Sequence, residues 1–254
     1  MLARGFSSCV RLSHESSPFS LIGKAYGSAA KGVRVKCMME GMARTPNQVK
    51  YVKLLKNDNV KVLFVTGPAG CGKTLIGCSY ALQGLINKDY QKIIISRPTV
   101  SMSEDYGYLP GKIDEKLHPW LIPIYDSFNS PKIKEYIQNG KIEIAPLGFI
   151  RGRTFHNSFV MVDEAQNIDS NQMKTLLTRI GQESKMVLVG DPEQCDLKGI
   201  YSGLSHFVDR LKTHPPHPMI QHLELGEEDI QRSEVVKEIL NIYHNNETYE
   251  DYEY

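Results

Sequence analysis

The chain has 254 residues, 41% hydrophobic and 23% charged, ordinary globular proportions with ample length for a buried core. Its net charge of +1 supplies no global basic field of the kind that draws nucleic acid, although a local basic groove is compatible with it. No apolar run approaches the roughly 20 residues of a membrane-spanning helix. The five scattered cysteines (Cys9, Cys37, Cys71, Cys78 and Cys195) argue against a disulfide framework or a zinc site and for a reducing, intracellular compartment.

Residues 1–39 carry Arg4, Arg11, Lys24, Lys31, Arg34 and Lys36 against a single acid, Glu15, among many Ser, Gly and Ala. Such a composition reads as an organellar transit peptide. A disordered leader, or a true start at Met38, Met39 or Met42, is the alternative. From about Arg44 the pattern turns globular, so a basic extension over 1–43, a folded domain over 44–243 and an acidic tail over 244–254 are expected.

Apolar, β-rich runs at Lys61–Thr66, Lys92–Ser96, Lys141–Ala145, Ser158–Val162, Lys185–Val189 and Ile220–Leu225 predict strands. Helices are predicted over Thr74–Ile86 and Ser170–Ile180, the latter with Met173, Leu176, Leu177 and Ile180 on one face. Strands with little alternation, separated by helices, point to an α/β fold with a mostly parallel sheet covered on both faces. A Pro- and aromatic-rich stretch, Ser101–Ser130, reads as an insertion. The His/Pro tract from His214 to Pro218, with His206 and His222 nearby, reads as a stiff connection rather than a metal site.

Between the first strand and its helix lies Gly67-Pro68-Ala69-Gly70-Cys71-Gly72-Lys73-Thr74, a match to G-x-x-x-x-G-K-[ST]. Glycines there let several backbone N–H groups face one anion, and the following helix adds its positive end. Lys73 is expected to reach the β- and γ-phosphates, and the Thr74 hydroxyl to ligate Mg²⁺. Cys71 is expected to be either a reactive thiol that nucleotide protects or a buried, inert one. The strand Ser158–Val162 runs into Asp163-Glu164-Ala165-Gln166, which suits a Walker B site: Asp163 on Mg²⁺, Glu164 on the attacking water. The strand Lys185–Val189 runs into Gly190-Asp191-Pro192-Glu193-Gln194, where Gln194 is expected to sense the γ-phosphate or the water.

In order, TPNQ (45–48), GPAGCGKT (67–74), SRPTV (96–100), RGRTF (151–155), DEAQN (163–167) and GDPEQ (190–194) resemble the motifs of PhoH-like proteins, RecA-type P-loop ATPases whose motifs look like those of one motor half of superfamily 1 helicases. The resemblance runs from about Arg44 to Tyr243. It implies ATP hydrolysis coupled to remodelling of RNA or single-stranded DNA. It places Gln48 at the adenine edge and Arg97 and Thr99 on a nucleic-acid backbone. Arg151 and Arg153 are further candidates for that backbone, and Arg232 is a candidate γ-phosphate finger. With one set of motor motifs, the resemblance further implies a homo-oligomer, a hexameric ring in which Arg232 serves a neighbour. A nucleotide-gated regulatory protein with slow turnover is the competing reading. A small nucleotide kinase fits less well, since it needs an Arg-rich acceptor lid instead of water-activating groups.

Overall fold

Helix α1 (Pro46–Lys56) begins behind Thr45, whose hydroxyl accepts the Gln48 N–H, with Pro46 at a position where a missing N–H costs nothing. The computed structural model describes residues 41–98, 132–197 and 199–231, with positions 235 and 242 besides. The expected N-terminal extension over 1–40, the insertion over 101–130 and the acidic tail lie outside these residues.

After α1 come β1 (Val62–Thr66), α2 (Lys73–Asn87), β2 (Lys92–Ser96), α3 (Ile133–Gln138), β3 (Ile142–Ile144), β4 (Ser158–Val162), α4 (Ser170–Leu177), β5 (Lys185–Gly190), α5 (Gly203–Thr213) and β6 (Ile220–Glu224). The strands form one six-stranded sheet in the order β3-β2-β4-β5-β1-β6, and every pairing is parallel. β1, β4 and β5 are buried along their whole length, which is why they read as unbroken apolar runs rather than alternating ones.

Tyr51, Leu55, Ile76 and Leu82 of α1 and α2 pack on one face with Ile93, Ile95 and Phe159. Met173 and Leu176 of α4, and Leu204 and Val208 of α5, cover the other face with Phe64, Val160 and Leu188. Phe207 stacks on Phe64 at 4.9 Å between ring centroids. α4 ends three residues earlier than its apolar spacing predicts, because Ile180 leaves the helix to bridge Phe155. Its start is firmly set by a reciprocal capping box between Asp169 and Gln172.

The order of the strands positions the site. The connection leaving β1 crosses one face through α2 and the connection leaving β5 crosses the other through α5, so a crevice opens between the C-terminal ends of these neighbours. β5 also separates the loop-bearing β1 from the acidic β4, which makes this an α/β, RecA-like P-loop fold. Among the described residues, no helix is long and apolar enough to cross a membrane.

Candidate functional site

The turn after β1 is made by glycines in conformations that side chains rarely adopt: φ is 144° at Gly67, 88° at Gly70 and 84° at Gly72. At Gly67 the constraint is doubled, since a Cβ would come within 2.3 Å of the Leu225 carbonyl oxygen. α2 starts immediately after Gly72, so its unpaired N–H groups and positive end face the turn. The Lys73 ammonium is folded over the loop, donating to the carbonyls of Gly67 (2.5 Å) and Pro68 (2.8 Å). Thr74 Oγ1 donates to Asp163 Oδ1 at 2.9 Å, joining the loop to the end of β4.

Asp163 is buried, and its own N–H is held by the Ser96 carbonyl. Desolvation pushes its carboxyl above the usual range; the Thr74 hydroxyl pulls it down, the Glu164 charge up and Arg97 down again. Thr74 and Asp163 offer adjacent hard oxygens, the donor chemistry Mg²⁺ selects, and a cation there would offset the cost of the buried charge. Among the described residues, no three His, Cys, Asp or Glu side chains converge. The histidines go elsewhere, His222 to within 2.8 Å of the Thr66 hydroxyl and His206 to within 3.1 Å of Ser170.

Glu164 adopts a left-handed backbone (φ 53°), an uncommon conformation for a residue other than glycine. Both carboxylate oxygens are engaged: Oε1 accepts from Arg97 at 3.0 Å and Oε2 from Gln166 Nε2 at 2.6 Å. Gln166 is buried and does more than that. Its Nε2 also donates to the Gln194 carbonyl at 3.2 Å, while its Oε1 accepts the Asp191 N–H at 3.1 Å. One amide thus ties the turn after β4 to the turn after β5. Together these groups border a cleft of about 280 Å³, with Ala69, Gly70, Lys73 and Thr74 on one side and Glu164, Asp191 and the exposed Gln194 on the other.

Some expected residues lie behind this cleft. Cys71 is buried, its thiol donating to the Pro68 carbonyl at 2.9 Å; burial pushes the thiol up, and Lys73 only partly offsets this. Gln48 is buried too. Its Nε2 donates to the carbonyls of Cys71 (3.1 Å) and Asp229 (3.2 Å), and its Oε1 accepts the Arg44 N–H at 2.8 Å. Reaching an adenine would require it to exchange one of those bonds. Arg151 is exposed. Arg153 makes a two-point pair with Glu143, which Lys92 also contacts, and these partners lower the Glu143 carboxyl to about 2, Arg153 foremost. Thr99 and Arg232 lie outside the described residues. Gln231, one position before Arg232, donates its N–H to the Gly70 carbonyl at 3.1 Å.

A family model described as PhoH-like protein matches residues 42–244. The chain belongs to the PhoH-like family. Protein PhoH of Escherichia coli (strain K12) is 41% identical over 211 residues, 80% of this chain and 58% of that protein. A PhoH-like protein of Bacillus subtilis (strain 168) is 39% identical over 218 residues, 84% of this chain and 64% of its own. This PhoH-like chain therefore spans less than two thirds of either relative's length. A solved Pif1 helicase from Candida albicans overlays 79% of the chain and 43% of its own at 16% identity and a TM-score of 0.43, too loosely to carry a functional reading.

Sequence reasoning did not anticipate Gln166, Asp229 or Gln231 in this PhoH-like domain. Gln166 stands in the DEAQN motif, three residues beyond Asp163 in the turn after β4, and that place was the available signal. Asp229 lies in an acidic run, Glu227-Glu228-Asp229, that looks solvated; yet it is fully buried, accepting from Thr45, Asn47 and the Gly226 N–H.

Proposed function

We propose that this PhoH-like chain hydrolyses ATP and couples the cycle to remodelling of RNA or single-stranded DNA. The observation that carries the reading is the meeting of Lys73, Thr74, Asp163 and Glu164 around one cleft at the ends of β1 and β4. The Gly70 and Gly72 turn and the start of α2 offer backbone donors to the phosphates, and Lys73 leaves its loop carbonyls to grip the β- and γ-phosphates. Mg²⁺, when bound at Thr74 and Asp163, neutralises charge on the phosphate oxygens. Glu164 orients a water and accepts its proton as the water oxygen bonds to the γ-phosphorus. The bond to the β-phosphate oxygen breaks, giving ADP and phosphate. Gln194, exposed at the cleft, senses the γ-phosphate.

Assembly into a ring, with Arg232 completing a neighbour's site, belongs to the same proposal. The nucleic-acid part draws on Arg97, just beyond the C-terminal end of β2, and on the exposed Arg151; Arg153, paired to Glu143, is the weaker candidate. Phosphate release measured with and without single-stranded RNA, single-stranded DNA and duplexes tests the whole. Stimulation by strands supports the motor, and a rate indifferent to all of them overturns the coupling.

The nucleotide-gated regulatory reading has one observation in its favour. Both oxygens of Glu164 are taken by protein donors, a posture suited to slow turnover. A slow, unstimulated rate together with nucleotide-dependent assembly would support it.

A further inference from the structure

Glu164 is held from two sides, and the two holders differ in kind. Gln166 is buried and anchored at three points within the folded core, so it cannot leave without disrupting both turns. Arg97 is the first residue beyond β2, and its side chain and that of Glu164 are 24% and 34% exposed, so a solute phosphate can reach the pair. While Arg97 donates to it, Glu164 Oε1 has one lone pair fewer to offer a water. A guanidinium binds phosphate oxygens with the same N–H donors that it offers a carboxylate, so a phosphodiester can compete with Glu164 for Arg97.

We propose that the Arg97–Glu164 ion pair is a latch on hydrolysis: a phosphodiester of single-stranded nucleic acid takes the Arg97 guanidinium and frees Glu164 Oε1 to accept the proton of the attacking water. The latch rests on the nucleic-acid-coupled reading above and supplies its coupling step. It makes Arg97 a restraint on the resting enzyme and a sensor of the strand at once. It also assigns opposite effects to the two neighbours of Glu164, since losing Gln166 misplaces the base while losing Arg97 releases it.

The test uses Arg97→Gln in the full chain, which keeps length and polarity and removes the charge. Phosphate release without nucleic acid is expected to rise about tenfold or more, the factor of one charge-assisted hydrogen bond, and a single strand should add nothing further. Arg97→Lys, which keeps a cation at the site, should raise the basal rate far less than Arg97→Gln does. In a Glu164→Gln background, Arg97→Gln should produce no rise. Nucleotide affinity and the melting temperature, read on the same preparations, report folding. An unchanged basal rate with lost stimulation would make Arg97 only a strand contact, and a lost basal rate in folded, nucleotide-binding protein would make it part of the working site. Either result overturns the latch. A wild type indifferent to every strand, beside a fast Arg97→Gln variant, would instead overturn the nucleic-acid reading.

Discussion

Gln166→Leu removes, at nearly constant volume, one amide that serves three partners. The bond to Glu164 is charge-assisted and worth about 1.5–3 kcal/mol, the bond to the Gln194 carbonyl about 1 kcal/mol, and the Asp191 N–H left unpaired costs about 1–3 kcal/mol. These figures share one side chain and do not add. Only the bond to Glu164 bears on the proton transfer, so kcat should fall about 10- to 100-fold. The two bonds to the β5 turn should appear as about 2–3 kcal/mol of lost stability, since a buried donor is orphaned. Gln166→Glu separates the effects. Its oxygen still accepts from Asp191, but the atom facing Glu164 becomes a second carboxylate oxygen that must keep a proton to donate. Its kcat should therefore fall at high pH and recover towards acid pH, a profile that loss of packing cannot produce. Single-turnover phosphate release and thermal melting provide both readouts. Wild-type kcat in Gln166→Leu, or a loss confined to KM, would refute the assignment of Gln166 as a positioning residue.

Lys73→Ala should abolish hydrolysis, while Glu164→Gln should retain nucleotide and trap ATP, because in the proposed mechanism one group grips phosphate and the other acts on water; equilibrium binding beside phosphate release checks this. Cys71, buried with its thiol pushed up, should react with maleimide far more slowly than a free thiol even without nucleotide, measured by mass shift at that position. Glu143, lowered in the folded state to about 2 from an ordinary 4.5, contributes stability that is fully present above pH 4.5 and lost as pH falls through about 2. Thermal melts of Glu143→Gln should accordingly lie below wild type at neutral pH and converge with it in strong acid. Mixing Lys73→Ala with Arg232→Ala subunits should restore part of the ATPase if Arg232 serves a neighbour; proven subunit exchange without rescue would mean that it acts within its own chain.

Much of the sheet was legible because its strands are buried on both sides. Lys92–Ser96 and Ser158–Val162 begin and end where their apolar runs do. At the sheet edge the reading was less sharp: β3 is only Ile142–Ile144, since a single neighbour, β2, pairs with it. α5 was missed although Leu204, Phe207, Val208 and Leu211 recur at helical spacing, because Ser202 and Gly203 open it like a loop. That Lys73, Thr74, Asp163 and Glu164 meet at one cleft was legible because a Gly-rich turn and an acidic pair each directly follow a buried strand. Gln166 was not, because its role depends on Asp191 and Gln194, which only the pairing of β4 with β5 brings to it.

The phosphate loop is held from behind by the segment that follows β6. Leu225 abuts Gly67 so closely that no side chain fits, and the Gln231 N–H binds the Gly70 carbonyl. Between these points Asp229 turns inward and collects the Thr45 hydroxyl, the Asn47 amide and the Gly226 N–H, without a formal cation among those three donors. Thr45 and Asn47 stand at the start of α1, whose positive end favours that carboxylate. Gln48 then carries the connection from α1 to Cys71 inside the loop. A buried charge satisfied by neutral donors is held only while all of them stay in place, because each donor lost leaves part of its desolvation cost unpaid. The segment after β6 is therefore tied to the loop both directly and through α1, so a shift of residues 226–231 strains the bonds of Gly70 and Cys71.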